Sequence, residues 1–189
     1  MSFNENDVKS IKGFLGGAEF ALLHRLGMEC PENGVIVELG SYQGLSTVSI
    51  AKGAEIAKAH MWAIDPHPEL QVTSDTLYGM HDQAALLKNL VNYGVAHIVR
   101  VITLASYEVV KCWDKPIDFL WIDGSHDYED VKRDLDEWHG LVRGKIAMHD
   151  TSGNWPGVSR ALAEFVAGGE WHVTERADAT SVLERVSRG

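Results

Sequence analysis

The stretch of residues 34–47 constrains the fold of this 189-residue chain more than any other. Its first part, Val35–Leu39, is a short run of mostly β-branched or aliphatic residues, which is typical of a buried strand. Gly40 and Gly44 then mark a tight turn, and helix-compatible sequence follows. Because this order places backbone N–H groups and the positive end of a helix at the carboxyl edge of a sheet, it predicts a site for a nucleotide-like ligand.

The remaining sequence alternates strand-like and helical patterns with short connections, which predicts a doubly wound α/β sheet. Further strands are predicted at residues 60–64, 98–102, 117–122 and 144–148, with a closing antiparallel pair at residues 171–174 and 181–186; helices are predicted at residues 46–58, 81–93, 106–110, 128–141 and 158–166. Apolar spacing over residues 8–26, interrupted by Gly16 and Gly17, indicates two short helices joined by a hinge. Pro66 and Pro68 predict a long irregular loop that extends to about residue 78.

Acidic residues outnumber basic ones by 27 to 17, which gives a net charge of −10. Such a chain repels phosphate backbones and anionic lipid surfaces, so neither nucleic acid nor membrane is an expected partner. The first residues carry no signal-peptide pattern and no apolar run has the length of a membrane span, so we expect a soluble cytoplasmic protein. With 45% hydrophobic residues, the chain is expected to form one domain around one core.

Three predicted strands end in an aspartate, at Asp65, Asp123 and Asp150. Since the carboxyl ends of parallel strands share one edge of a sheet, these carboxylates are expected to converge there. A dinucleotide-binding turn needs the pattern Gly-x-Gly-x-x-Gly, but Tyr42 stands where the second glycine belongs. The turn therefore favours a nucleoside without a pyrophosphate, with Asp65 accepting hydrogen bonds from two ribose hydroxyls.

At these residues the sequence resembles the class I methyltransferases that use S-adenosylmethionine, from about residue 35 to residue 173. The most specific part is residues 117–128, read as IDFLWIDGSHDY, followed by residues 141–150 with their closing His-Asp pair. This combination is similar to the small branch of sugar and natural-product O-methyltransferases. The resemblance implies a single-domain Rossmann-like methyltransferase fold with a seven-stranded, mostly parallel sheet and an antiparallel C-terminal strand.

The resemblance also implies roles for individual residues. Glu38, Gly40 and Gly44 would line the methionine end of the cofactor, Asp65 would bind the ribose, and Ala105 and Ser106 would border the adenine. The full set implied for the cofactor is Glu38, Gly40, Ser41, Gly44, Asp65, Ala105, Ser106 and Asp123. We expect residues 29–189 to form this S-adenosylmethionine-binding domain, and residues 1–28 to form an N-terminal helical cap that either packs on the sheet or moves over the site.

Methyl transfer to an alcohol requires activation of a hydroxyl group that is not acidic. A divalent cation bound to the hydroxyl oxygen lowers its pKa and fixes its direction. Asp123 and Asp150 offer the hard oxygen ligands that Mg²⁺ prefers, and Thr151 or His126 would complete the set. The near-neutral pKa of histidine suits a general base, so His126 and His149 are catalytic candidates together with Asp123.

The expected activity is therefore the methylation of a small hydroxylated molecule, such as a sugar, a phenol or a natural product, with S-adenosylmethionine and Mg²⁺ as cofactors. Three alternatives stay open: a nicotinamide-dependent oxidoreductase, which Tyr42 disfavours, a non-catalytic nucleoside-binding module, and a metal-dependent hydroxylase-like relative on the same scaffold. No motif in the sequence identifies the acceptor molecule. A homodimer is one expectation for an oligomeric state that the sequence leaves open.

Three further predictions concern residues outside the candidate site. In the helix at residues 128–141, Asp134 and the other charged residues are expected to form a solvated face opposite the apolar stripe. His67 is expected to be a loop or surface residue. Cys30 and Cys112 lie far apart and indicate neither a disulfide framework nor a zinc site.

Overall fold

The computed structural model describes residues 3–68, 70–72 and 77–186. In the described residues the strands are β1 (Val35–Leu39), β2 (His60–Ile64), β3 (Leu70–Val72), β4 (Leu77–Gly79), β5 (Val99–Ile102), β6 (Ile117–Ile122), β7 (Val142–Met148), β8 (Trp171–Ala177) and β9 (Thr180–Arg185). The helices are α1 (Gly17–Met28), α2 (Leu45–Ala57), α3 (Met80–Asn92), α4 (Ser106–Val109), α5 (Tyr128–Trp138) and α6 (Pro156–Ala167). Short 3₁₀ turns lie at Glu5–Asp7, Val110–Cys112 and His139–Leu141.

Seven strands form one sheet in the order β5-β2-β1-β6-β7-β9-β8. All neighbours from β5 to β7 pair in parallel, whereas β9 runs antiparallel to both β7 and β8. The predicted seven-stranded, mostly parallel sheet with an antiparallel C-terminal strand is therefore confirmed. Chain progression reverses between β1 and β6, and the crevice outside the carboxyl ends at such a switch point is where open α/β sheets bind ligands.

Each face of the sheet carries its own hydrophobic core, because successive residues of a strand point to opposite faces. Ile36 of β1 joins the core that α1, α2 and α3 cover, and Val37 joins the core that α5 and α6 cover. This alternation explains why the parallel strands read as continuous apolar runs in the sequence.

The N-terminal segment forms one helix, α1, where two short helices were predicted. The chain before it is extended at Gly16, so that residues 8–16 contain no second α-helix. The helix packs closely against α2, since a Cβ atom on Gly53 would lie 2.0 Å from the carbonyl oxygen of His24. Phe20, Leu23 and Leu26 of α1 are buried in the hydrophobic core on this face of the sheet.

The segment after β2 also differs from the prediction of an irregular loop. The strands β3 and β4 pair as an antiparallel hairpin within it, in register from Leu70 with Gly79 to Val72 with Leu77. Residues 69 and 73–76 of the predicted loop lie outside the described residues.

Among the helices of the described part, none combines the length and apolarity needed to span a bilayer.

Candidate active site

The glycine-rich turn after β1 has a backbone that few side chains tolerate. Gly40 and Gly44 have φ angles of 88° and 92°, and Tyr42 between them has a φ of 45°. A Cβ atom on Gly40 would lie 2.2 Å from the carbonyl oxygen of Asp123, so the turn is in direct backbone contact with the end of β6. Gly40 is therefore required by close approach as well as by its positive φ.

Asp65, at the end of β2, holds this turn in place. Its Oδ2 accepts hydrogen bonds from the backbone N–H groups of Ser41 and Tyr42, both at 2.9 Å, and its Oδ1 accepts one from the N–H of His67 at 3.1 Å. The side chain keeps 18% of its surface exposed, and each carboxylate oxygen has two lone pairs, so capacity remains for a ligand hydroxyl. Contact with a ribose stays a prediction.

His67 lies in the loop after β2, as predicted, but it is buried, with 5% of its surface exposed. Its Nε2 lies 3.0 Å from the carbonyl oxygen of Tyr42, and its Nδ1 lies 3.1 Å from the carbonyl oxygen of Asp65. The imidazole therefore links the glycine-rich turn to the end of β2.

Glu38 lies beneath the turn and is completely buried. Its carboxylate accepts hydrogen bonds from the hydroxyl groups of Ser46 and Thr47, both at 2.6 Å, in the first turn of α2. Burial raises the pKa of Glu38 to about 8, although these two hydrogen bonds act in the opposite direction. In the structure Glu38 orients the start of α2, and its predicted contact with the cofactor stays untested.

The start of α2 itself is open. Gly44 is the N-cap residue, and no side chain in the described part of the chain caps the first N–H groups. Uncapped N–H groups and the helix dipole favour an anion at this point, and the carboxylate of an amino-acid tail is such a group.

Ala105 and Ser106, the predicted adenine border, form the N-terminus of α4. The hydroxyl of Ser106 donates to Oδ1 of Asp134 on α5 at 2.5 Å. Asp134 is 6% exposed, and burial raises its pKa to about 6, so its assignment to a solvated face was wrong. Its position three residues after Val131 and one before Leu135 puts it on the apolar face of α5, a signal that helical spacing alone contains.

The reacting end of the site is a cluster at the ends of β6 and β7. Nδ1 of His149 lies 3.1 Å from Oδ1 of Asp123 and 3.3 Å from Oδ2 of Asp150. The side-chain donor atoms of these three residues all lie within 4.8 Å of one another, the kind of grouping that holds a metal ion. Asp150 adopts a φ of 58°, which turns the chain directly after the strand.

His126 joins this cluster from the loop after β6. Its Nε2 lies 2.7 Å from Oδ2 of Asp150, and its ring stacks on Trp155 with centroids 4.0 Å apart and planes 12° apart. The stacking fixes the plane of the imidazole, while 36% of the side chain stays exposed to an incoming molecule. Trp155 is 44% exposed and extends the surface of the site.

Thr151 is oriented away from the cluster. Its hydroxyl donates to the carbonyl oxygen of Ala179 at 2.8 Å and lies 2.7 Å from the hydroxyl of Ser181. These contacts join the end of β7 to β9. The structure thus places Asp123 and Asp150 together, as the sequence predicted, and puts His149 rather than Thr151 beside them.

Glu19 of α1 completes the surroundings of His149 and was missed at the level of sequence. Its Oε1 lies 3.3 Å from Nε2 of His149, and its side chain is 1% exposed. The only sequence signal is a carboxylate next to the apolar residues Phe20, Leu22 and Leu23, which does not reveal the partner.

Charge compensation governs the protonation of this cluster. Burial alone would lower the pKa of His149, but its contacts with Asp123, Asp150 and Glu19 outweigh burial and raise it well above its ordinary value. Burial would raise the pKa of Asp150, but His126 and His149 hold it well below its usual range. Burial raises the pKa of Asp123, with His149 acting in the opposite direction. The positive charge of His149 therefore lies between the carboxylates of Asp123 and Asp150. A metal cation could supply the same positive charge to these two carboxylates.

Comparison with known proteins agrees with this geometry. Residues 37–151 match the family described as a methyltransferase domain. Among solved structures, the chain is similar to the O-methyltransferase TomG from Streptomyces achromogenes, involved in tomaymycin synthesis and solved in complex with SAM (TM-score 0.70, 14% identity, 98% of this chain and 97% of that chain). It is also similar to an O-methyltransferase from Bacillus cereus in complex with SAH (TM-score 0.69, 15% identity, 96% and 87%).

A third similar structure is an rRNA methylase from Streptococcus thermophilus (TM-score 0.65, 11% identity, 93% of this chain and 100% of that chain). At these identities the structural likeness shows the fold alone, whereas the family match covers the segment from β1 to the residue after Asp150. The resemblance to class I S-adenosylmethionine-dependent methyltransferases is thereby confirmed, and the chain belongs to the methyltransferase-domain family.

Proposed function

We propose that the protein transfers a methyl group from S-adenosylmethionine to a hydroxyl group of a small molecule, with the help of a divalent cation. The observation that carries this proposal is the cluster of Asp123, His149 and Asp150 beside the glycine-rich turn, at the switch point of the sheet. The turn offers a cofactor site and the cluster offers the means to activate an acceptor.

The residues of the turn fit an S-adenosylmethionine molecule. The start of α2, which no side chain of the described residues caps, suits the carboxylate of its methionine part, and Oδ1 of Asp65 has one lone pair left for a ribose hydroxyl. Ser106, bound to Asp134, lies at the carboxyl end of β5 where the adenine is expected. This cofactor supplies an activated methyl group on a sulfonium.

The cluster also fits a divalent cation, with Asp123, Asp150 and His149 as the residues that would hold it. Carboxylate oxygens suit Mg²⁺ and Mn²⁺, and an imidazole nitrogen shifts the preference of such a set towards Mn²⁺ and other transition metals. We leave Thr151 out because its hydroxyl is occupied by Ala179 and Ser181. A bound cation supplies Lewis acidity that lowers the pKa of an acceptor hydroxyl.

His126 is the residue we assign as general base. We assign the tautomer in which Nε2–H of His126 donates to Asp150, so that the lone pair of Nδ1 accepts the proton of the acceptor hydroxyl. Stacking on Trp155 holds the ring in one plane during this transfer. His149 is unsuited to this role, because it is 6% exposed and its Nδ1 faces two carboxylates.

The experiment that tests the proposal combines calorimetry with a methyl-transfer screen. S-adenosylhomocysteine is titrated into the purified protein, and sugars, phenols and natural-product glycosides are screened with S-adenosylmethionine in the presence of Mg²⁺, Mn²⁺ or EDTA. Binding followed by transfer that EDTA abolishes is expected. No binding of S-adenosylhomocysteine refutes the proposal, and transfer that EDTA leaves unchanged removes the cation from it.

The Asp123→Asn and His126→Gln variants separate an enzyme from a non-catalytic binding module. Both variants should bind S-adenosylhomocysteine and lose turnover by about 100-fold or more, in line with the usual size of general-base effects. The rRNA methylase among the similar structures makes RNA a second acceptor class to include in the screen. The net charge of −10 argues against it, because an acidic chain repels a phosphate backbone.

A further inference from the structure

Glu19 is a buried carboxylate at which three elements meet. Its Oε2 accepts the backbone N–H of Gly16 at 2.6 Å, at the start of α1. Its Oε1 accepts the hydroxyl of Thr180 at 2.6 Å, at the start of β9, and faces His149 at the end of β7. Burying an ionised carboxylate is costly unless it is paired, and His149 is the cationic partner that Glu19 faces.

The two nitrogens of His149 have different surroundings. Nδ1 faces Asp123 and Asp150, which we assign to the cation, while Nε2 lies 3.3 Å from Oε1 of Glu19. This contact has the distance of an ion pair without the alignment of a hydrogen bond, and Nε2 has no aligned acceptor among the described residues.

An imidazole that binds a metal through one nitrogen typically donates its other N–H to a carboxylate, which fixes the ring and makes the ligand nitrogen more basic. We propose that Glu19 is a positioning residue of this kind: it holds Nε2–H of His149 from behind, so that Nδ1, which would release its proton to solvent as the cation binds, could serve as a cation ligand. The inference rests on the cation site of the proposed function. It makes α1 part of the reacting site, although α1 lies outside the segment that matches the methyltransferase-domain family.

Capping of α1 alone does not account for this carboxylate. The cap uses Oε2 only, and a glutamine at position 19 would supply the same acceptor to Gly16. What glutamine cannot supply is the negative charge at Oε1 next to His149. The Glu19→Gln variant therefore removes the proposed role and keeps the cap and the side-chain volume.

The matched control is Thr180→Val, which removes the other partner of the same oxygen. Thr180 is also 1% exposed, and valine has nearly the same shape. If Glu19 has a structural role alone, both variants should disturb the site alike. If Glu19 positions His149, only Glu19→Gln should change cation binding.

The test measures binding of Mn²⁺ by electron paramagnetic resonance and binding of S-adenosylhomocysteine by calorimetry. In Glu19→Gln the Mn²⁺ affinity should fall by about 10- to 100-fold, the usual effect of removing such a partner, while in Thr180→Val it should change by less than about threefold. The affinity for S-adenosylhomocysteine should be unchanged in both variants, since its site is at the glycine-rich turn.

Equal Mn²⁺ affinities in wild type and Glu19→Gln would overturn the inference, and so would equal losses in Glu19→Gln and Thr180→Val. Absence of Mn²⁺ binding by wild type would overturn it together with the cation part of the proposed function, whereas methyl transfer itself would be refuted only by failure to bind S-adenosylhomocysteine. Should Glu19→Gln not fold, a crystal structure of wild type with Mn²⁺ decides. Nδ1 of His149 on the metal and Nε2 on Glu19 supports the inference, and any other ligand arrangement refutes it.

Discussion

Replacement of Glu38 by glutamine should change how stability depends on pH. The pKa of Glu38 is raised by burial from an ordinary value of 4.5 to about 8 in the folded chain. Between these two values the folded state binds a proton that the unfolded state has lost, so the free energy of unfolding falls as pH rises. The stabilisation is fully present below pH 4.5 and is lost by about pH 8.

The magnitude follows from this difference. One bound proton corresponds to about 1.4 kcal/mol per pH unit, so the wild-type chain should lose roughly 4 kcal/mol from this group between pH 5 and pH 8. A glutamine amide is neutral over the whole range and can still bond to the hydroxyls of Ser46 and Thr47. The free energy of unfolding of Glu38→Gln, relative to wild type, should therefore rise by about 1.4 kcal/mol per pH unit in this window.

Urea unfolding of both proteins at pH 5, 6, 7 and 8 measures this difference directly. Titrating groups that do not interact with Glu38, such as Asp134, are common to both proteins and cancel. Ser46→Ala is the control in the opposite direction, because loss of a hydrogen bond to the carboxylate should raise the pKa of Glu38 further and extend the window to higher pH. Parallel stability profiles of wild type and Glu38→Gln would refute the reasoning, since they would mean that Glu38 titrates as an exposed carboxyl.

Three further predictions test other parts of the site. Gly94→Ala should destabilise the fold by about 1–2 kcal/mol through its φ of 72° alone, because a Cβ added there would have no described atom within 4 Å apart from its chain neighbours. Gly40→Ala should cost a further 1–3 kcal/mol, because its Cβ would overlap the end of β6. Chemical denaturation compares the two variants. Asp65→Ala should weaken S-adenosylhomocysteine binding by about 10- to 100-fold in calorimetry, through loss of charge-assisted hydrogen bonds; an unchanged affinity would contradict its role. Thr151→Val should leave Mn²⁺ affinity within about twofold of wild type in electron paramagnetic resonance, whereas Asp123→Asn should lose it by more than tenfold; equal losses would return Thr151 to the ligand set.

The sheet and the glycine-rich turn were predictable because their signals are local. A run of apolar residues, a pair of glycines and the aspartate after the next strand all belong to one β-α-β unit. The hydrogen bonds that Asp65 makes to Ser41 and Tyr42 span only 24 and 23 residues. The β3–β4 hairpin was missed because each strand has three residues, too few for a period to show.

The misplacement of Asp134 has a different cause. Residue type favoured the surface, since aspartate is rarely buried without a partner, while helical spacing favoured the core. Spacing prevailed because Ser106 supplies the partner from α4. A charged residue at a core position of a strongly amphipathic helix should therefore prompt a search for its buried partner, and should not be assigned to the solvated face.

The reacting half of the site depends on contacts that no local pattern contains. Thr180 bonds to Glu19 across 161 residues, and His149 meets both Asp123 and Glu19 only when β7 lies between β6 and β9 with α1 packed on α2. The strand-end rule could bring Asp123 and Asp150 together, but it cannot say which third side chain turns towards them. The hydroxyl of Thr151 is bound by Ala179, in the turn before β9, and by Ser181 of β9, while His149 faces the carboxylates. The glycine-rich turn and Asp65 are therefore encoded within one β-α-β unit, whereas the chemistry proposed beside them requires both ends of the chain to be folded.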